Sequence, residues 1–219
     1  MNKVGKIACI VFFGITFTSV NAATIEGNFA VASDYIWRGM TQTGEDFAYS
    51  GGVDVSSDNG VYVGVWGSKV DFGFDDDTNY EIDAYFGYSD ESARGVSFDT
   101  GYISYNYTGG EDLDFEEIYV GLGYKWVGLT LSFGLDDAPD NTEWSVNLGD
   151  SGFGVTYGDY DDYGKYTLLG YDFTQTIFGF SVGVALSEFD GDVDGTEEDG
   201  FVITFSRYNE QLQVSIKKH

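Results

Sequence analysis

The chain has 219 residues, 18% of them aromatic, with 31 Gly and 1 Pro. That balance describes many extended segments joined by Gly-rich turns and argues against a helical protein, a Pro-rich linker or a disordered tail. Its formal charge of −27 becomes −29 once Lys3 and Lys6 of the N-terminal leader are discounted (8 basic against 37 acidic residues), which excludes a nucleic-acid partner.

The first segment reads as a targeting signal. Residues 1–6 carry two lysines, residues 7–20 are apolar or small, and Val20-Asn21-Ala22 or Asn21-Ala22-Ala23 offers the small residues that a signal peptidase needs. The run is too short to be a spanning helix and is soon followed by polar sequence. The expected organisation is a signal peptide over 1–23 and one exported domain over 24–219. The only Cys is Cys9, so the exported part has no disulfide framework.

From residue 24 the chain divides by period and punctuation into twelve predicted strands. They cover 24–37, 47–56, 61–70, 79–89, 96–107, 115–125, 129–136, 142–149, 153–159, 165–174, 180–188 and 200–208. The stretch 80–88 shows the pattern most plainly: Tyr80, Ile82, Ala84, Phe86 and Tyr88 share one parity, and Glu81, Asp83, Tyr85 and Gly87 the other. A strand with one greasy and one charged face serves either a soluble sandwich or a membrane barrel.

The connections alternate in kind. Those at 57–60, 89–95, 126–128, 149–152 and 174–179 are mostly short, whereas 39–46, 71–78, 108–114, 136–141, 160–164 and 188–199 are on average longer and nearly all acid-rich. Outer-membrane barrels have short periplasmic turns, longer extracellular loops and strands of about 9–11 residues. Tyr35, Trp37, Tyr80, Tyr88, Tyr124, Trp126 and Trp144 stand near predicted strand ends, where an aromatic girdle would lie. The reading is an all-β, antiparallel transmembrane barrel of about twelve strands, with a jelly-roll sandwich as the competing architecture.

The segments Ser33-Asp34-Tyr35-Ile36-Trp37-Arg38-Gly39-Met40-Thr41-Gln42-Thr43, Ala48-Tyr49-Ser50-Gly51-Gly52-Val53-Asp54 and Gly60-Val61-Tyr62-Val63-Gly64-Val65-Trp66-Gly67-Ser68, with the stretch 80–88, resemble the N-terminal half of the TorF-type porin family, catalogued as Gcw_chp in Gram-negative bacteria. The resemblance extends through about residue 90 and implies an outer-membrane barrel acting as a porin. The run Asp199-Gly200-Phe201-Val202-Ile203-Thr204-Phe205 is similar to the terminal signal read by the barrel assembly machinery. The chain departs from that pattern by continuing past Tyr208 to His219. Leu212, Val214 and Ile216 alternate in this tail and leave twelve or fourteen strands open, an even number being required.

By parity the lumen candidates are Glu26, Asp34, Arg38, Asp54, Lys69, Glu81, Asp83, Asp99, Glu117, Lys125 and Glu143. With carboxylates in excess, such a lumen would favour cations, so the expected function is a passive, weakly cation-selective channel for small solutes or ions. The alternative is a closed barrel, with Asp34 and Arg38 paired at one end, that presents its acidic loops for binding, adhesion or divalent-cation capture. Asp190, Asp192 and Asp194 match the first half of an EF-hand loop, but Phe201 occupies the position of its closing Glu, so only loosely bound Ca or Mg is expected and no cofactor otherwise. The only His, His219, is a poor general base at the chain end, and no enzyme is expected. The expected partners are outer-membrane lipid, the assembly machinery and small solutes or cations. Trimeric porins are usually larger, so a monomer is the expected state.

Overall fold

Period-2 alternation becomes a single closed sheet in the computed structural model, which describes residues 23–73, 77–109, 113–193 and 196–214. The strands are β1 (Ala23–Ala32), the short pair β2 (Ile36–Trp37) and β3 (Met40–Thr41), β4 (Ala48–Ser57), β5 (Val61–Lys69), β6 (Tyr80–Glu91), β7 (Val96–Thr108) and β8 (Phe115–Tyr124). They continue with β9 (Val127–Gly134), β10 (Asn141–Asn147), β11 (Phe153–Tyr160), β12 (Gly164–Asp172), β13 (Ser181–Gly191) and β14 (Glu198–Val214). All but β2 and β3 belong to the barrel. Each pairs antiparallel with its sequence neighbours, and β14 returns to pair with β1, which closes a barrel of twelve strands. A closed sheet has no free edge and is not a sandwich.

The two faces separate as the alternation requires. Along the β4–β5–β6 ladder Val53, Val65 and Ala84 lie opposite one another on the outside, and Asp54, Gly64 and Tyr85 on the inside. The outer face is a belt of exposed apolar side chains that includes Val65 (49% exposed), Leu186 (53%) and Phe201 (57%). Tyr80, Tyr88, Tyr124, Trp126 and Trp144 are exposed on that face as expected of a girdle. Both described termini, Ala23 and Val214, pair with each other at the short-turn end.

Three sequence expectations change. The first strand stops at Ala32 rather than at residue 37, because residues 33–47 leave the wall and turn into the barrel. Tyr35 and Trp37 are therefore inside, not in the girdle: Trp37 meets Tyr105, Phe115 and Tyr160 edge-on at 5.5–5.9 Å, and Tyr35 meets Trp66 at 5.5 Å. As far as it is described, to Val214, the tail forms no extra strand. It extends β14, whose residues up to Val214 pair with Ala23–Ile25 beyond a register shift between Ile25 and Gly27. Residues 1–22 of the predicted leader lie outside the described residues, and Ala23 opens β1.

The interior is filled unevenly. In the half built by β4–β8, tyrosines lie over glycines: a Cβ at Gly64 would overlap the Tyr85 ring, and across the barrel one at Gly158 would overlap the Tyr166 ring. Those glycines leave room for rings that fill a barrel of this width. Towards the short-turn end of β9–β13 the inward residues are small or polar, among them Thr130, Ser145, Thr156 and Gly183, and they are only half-buried.

Val65, mid-strand on the outer belt, supplies a test. Val65→Arg is expected to destabilise the barrel folded into lipid vesicles by about 2–4 kcal/mol, as for a charge at the bilayer midplane. A denaturant midpoint unchanged from the parent would mean that this face meets water.

Candidate functional site

The inserted segment organises the lumen. The turn between β2 and β3 has two central residues, Arg38 at φ 48° and Gly39 at φ 85°, the signature of a type I′ hairpin. Gly39 suits this position because it needs positive φ and has no room for a Cβ, which would meet Tyr166 Cβ, the Glu188 carbonyl and Phe189 Cβ. Arg38 does not suit it, since a non-glycine residue held there costs about 1–3 kcal/mol. The compensation is in its side chain.

The Arg38 guanidinium donates two parallel hydrogen bonds to Glu117 on β8, Nη1 to Oε1 at 2.7 Å and Nη2 to Oε2 at 2.8 Å. It also lies over the Trp37 ring at 4.3 Å and the Tyr160 ring at 4.6 Å. Burial, the largest single influence, works against its charge, but the adjacent Glu117 carboxylate together with the Tyr105 and Tyr160 side chains outweighs it and holds the guanidinium above its ordinary pKa. The hairpin thus reaches β8 on one side and β11–β13 on the other, and crosses the lumen near the long-loop end.

Further contacts fix the hairpin's base. The Thr41 and Thr43 hydroxyls each donate to Asp34 Oδ1 at 2.7 Å, and the Tyr35 amide donates to Thr43 Oγ1 at 3.1 Å. The Thr41 amide donates to Glu198 Oε2 at 2.9 Å, and the Asp71 amide to the Gln42 carbonyl at 2.8 Å. At the rim, the Phe47 amide and then the Lys69 ammonium hold the exposed Asp46 carboxyl below the usual carboxylate range. Asp34 and Arg38 are not paired with each other: one caps the hairpin's own threonines, and the other reaches across to the wall.

The lumen candidates sort by register. Asp54 accepts from the Tyr85 hydroxyl at 2.7 Å, Asp99 from Tyr62, and Glu143 from Tyr166 at 2.9 Å. Glu26 lies opposite Asp54 across the β1–β4 ladder. Glu81 and Asp83 point inward on β6 and are fully enclosed. Two basic candidates are elsewhere. Lys69 shares the parity of Val65 and pairs with outward-facing Tyr80; its ammonium is 3.5 Å from Asp46 at the rim. Lys125 is in the β8–β9 turn at φ 57°, over the Tyr124 ring at 5.1 Å. Lys69 keeps the outward parity of Val61, Val63 and Val65 to the end of its ladder, so it belongs outside by the strand's own alternation, whereas parity fails for Lys125 because the ladder stops at Tyr124.

Asp172, which the sequence reading did not single out, shares the inward parity of Tyr166 at the short-turn end. Its position at a predicted strand end hid it. Asp190 is a ladder residue of β13 opposite Lys165, Asp192 follows in the loop, and Asp194 lies outside the described residues. Among the described residues no group of three or more His, Cys, Asp and Glu side chains gathers as a metal site would. Arg38 is the one basic side chain inside the barrel among those residues, since Lys165 and Arg207 share the outward parity and Arg94 is in a turn.

Residues 17–141 match the model of a bacterial protein family of unknown function, Gcw_chp. No curated protein matches the chain.

Removing one partner of the buried ion pair leaves an uncompensated charge. Arg38→Ala is expected to cost about 3–5 kcal/mol, whereas the double variant Arg38→Met/Glu117→Leu should recover most of it. Urea unfolding midpoints check this, and equal losses in the single and double variants would show that the pair does not hold the hairpin.

Proposed function

The chain belongs to the Gcw_chp family of bacterial proteins, and we propose that it is an outer-membrane channel with a preference for small cations, narrowed at its long-loop mouth by the inserted hairpin. The observation that carries this reading is the charge of the inward face. Glu26, Asp54, Asp99, Glu143 and Asp172 point inward, while the only basic group inside among the described residues is already neutralised by Glu117. Carboxylates lining a passage of low dielectric raise the local cation concentration and repel anions.

The apolar outer belt and the aromatic side chains at its borders support placement in an outer membrane after export by the leader. Lipid and the barrel assembly machinery are the partners this placement entails, and the reading is non-enzymatic. The hairpin does not change the sign of the lumen, because its Arg38 contributes no net charge beside Glu117. It acts by occupying cross-section.

The same hairpin favours a second reading, a closed barrel that presents acidic loops, because Trp37 and Gly39 reach opposite walls. Conductance of the refolded chain in a planar bilayer separates the two. The channel reading expects stepwise, cation-preferring conductance, a larger step when residues 35–42 are replaced by a short Gly-Ser turn, and weaker cation preference in Glu26→Gln/Asp54→Asn. A folded barrel that stays silent with and without the hairpin would leave the closed, loop-presenting protein. Heat-modifiable gel mobility reports folding in each case.

A further inference from the structure

Most enclosed carboxylates inside this barrel have a partner. Glu117 has Arg38, Asp54 has Tyr85, Asp99 has Tyr62 and Glu143 has Tyr166. Glu81 and Asp83 differ. They are separated by one residue on β6, share its inward face at 1% and 0% exposure and lie within hydrogen-bonding reach of each other, and outside the pair neither Asp83 oxygen nor Glu81 Oε2 has a hydrogen-bond donor. Glu81 has the Tyr35 and Tyr107 hydroxyls and the Asp83 carboxyl beside it, whereas the one group placed to hydrogen-bond Asp83 is Glu81.

We propose that Glu81 and Asp83 form a site for a hard divalent cation of calcium's size. Buried carboxylates are normally paired with a basic group or bound to a metal, and an orphaned buried oxygen is often the mark of an ion. The one basic group inside the barrel among the described residues is spent on Glu117. A divalent ion neutralises both carboxylates at once. The other donors at hand are all oxygens: the Tyr35 and Tyr107 hydroxyls at Glu81, and the buried Ser68 hydroxyl directly across the ladder from it. An all-oxygen set selects a hard ion over zinc or copper.

Size distinguishes among hard ions. Calcium sits about 2.3–2.6 Å from its ligands, so it can lie between oxygens that a water molecule does not reach. Magnesium keeps several waters and demands octahedral geometry, for which an enclosed pair has no place. With two carboxylates and neutral oxygens, the affinity belongs in the weak extracellular range, a Kd of about 10⁻⁴–10⁻³ M. The site is distinct from the acidic 190–194 loop and does not depend on whether the barrel conducts.

Terbium luminescence tests the proposal directly, because Trp66 is the register partner of Asp83 and can sensitise an ion bound there. The refolded chain in detergent is expected to give saturable terbium emission on tryptophan excitation, displaced by calcium. Asp83→Asn should weaken terbium binding by more than about tenfold, and Asp190→Asn/Asp192→Asn should leave it unchanged. Should Asp83→Asn fail to fold, Trp66→Phe carries the test: it must remove most of the emission while calcium still raises the unfolding midpoint. Absent emission, emission that survives Asp83→Asn, or emission lost with the loop variant overturns the site. A carboxylic-acid infrared band present in the parent and lost in Asp83→Asn or Glu81→Gln would then assign the pair a shared proton instead.

Discussion

The pairing of β1 with β14 is the constraint from which the rest of this structure follows. Once Ala23–Ala32 and Glu198–Val214 meet, no strand of the barrel presents an open row of backbone donors and acceptors, and the sheet divides space into an outside and an inside. Each residue's parity then has a fixed meaning. Val53, Val65 and Ala84 meet the surroundings, and Asp54, Gly64 and Tyr85 meet one another across a narrow lumen. The register shift between Ile25 and Gly27 belongs to the same closure, since pairing of β1 with β14 resumes beyond it up to Ala23 and Val214.

Enclosure turns the inward carboxylates from solvated groups into a problem of compensation. The barrel solves it in two ways. Tyrosine hydroxyls that reach over one intervening strand donate to Asp54, Asp99 and Glu143, and the glycines on that strand leave room for their rings. Glu117 instead takes a full charge from Arg38, carried in on a hairpin whose turn holds a non-glycine residue at positive φ. The cost of that turn and of desolvating the guanidinium is offset by a bidentate ion pair and by the Trp37 and Tyr160 rings on which the guanidinium stacks.

Function is built on the same division. The half of the lumen nearer the long loops is occupied by the hairpin and the rings around it, while the short-turn half keeps small residues and water-reachable carboxylates such as Glu26 and Asp172. An ion entering from either end meets negative potential. On the channel reading, the hairpin governs how much passes and the wall governs which sign passes. Charge and cross-section are set by different residues, so each can be varied separately.

The sequence by itself determined the all-β class, the positions of nearly all the strands, the two kinds of connection and the outward set of Tyr80, Tyr124 and Trp144, because period-2 alternation and turn residues are local signals that a closed sheet obeys at every step. It also placed Asp54, Glu81, Asp83, Asp99, Glu117 and Glu143 on the inner parity, for the same reason. Only the tertiary structure decided where the wall ends. Residues 33–37 alternate as a strand would, yet they turn inward because Arg38 finds Glu117 seventy-nine positions away, a contact with no trace in local pattern. The same limit misplaced Lys125, which parity put in the lumen and the end of the ladder put in a turn; Lys69, by contrast, follows the outward parity of its own strand to the rim. Periodicity reports which face a residue takes while the strand lasts; what lies opposite it, and where the strand stops, are settled by contacts between distant segments.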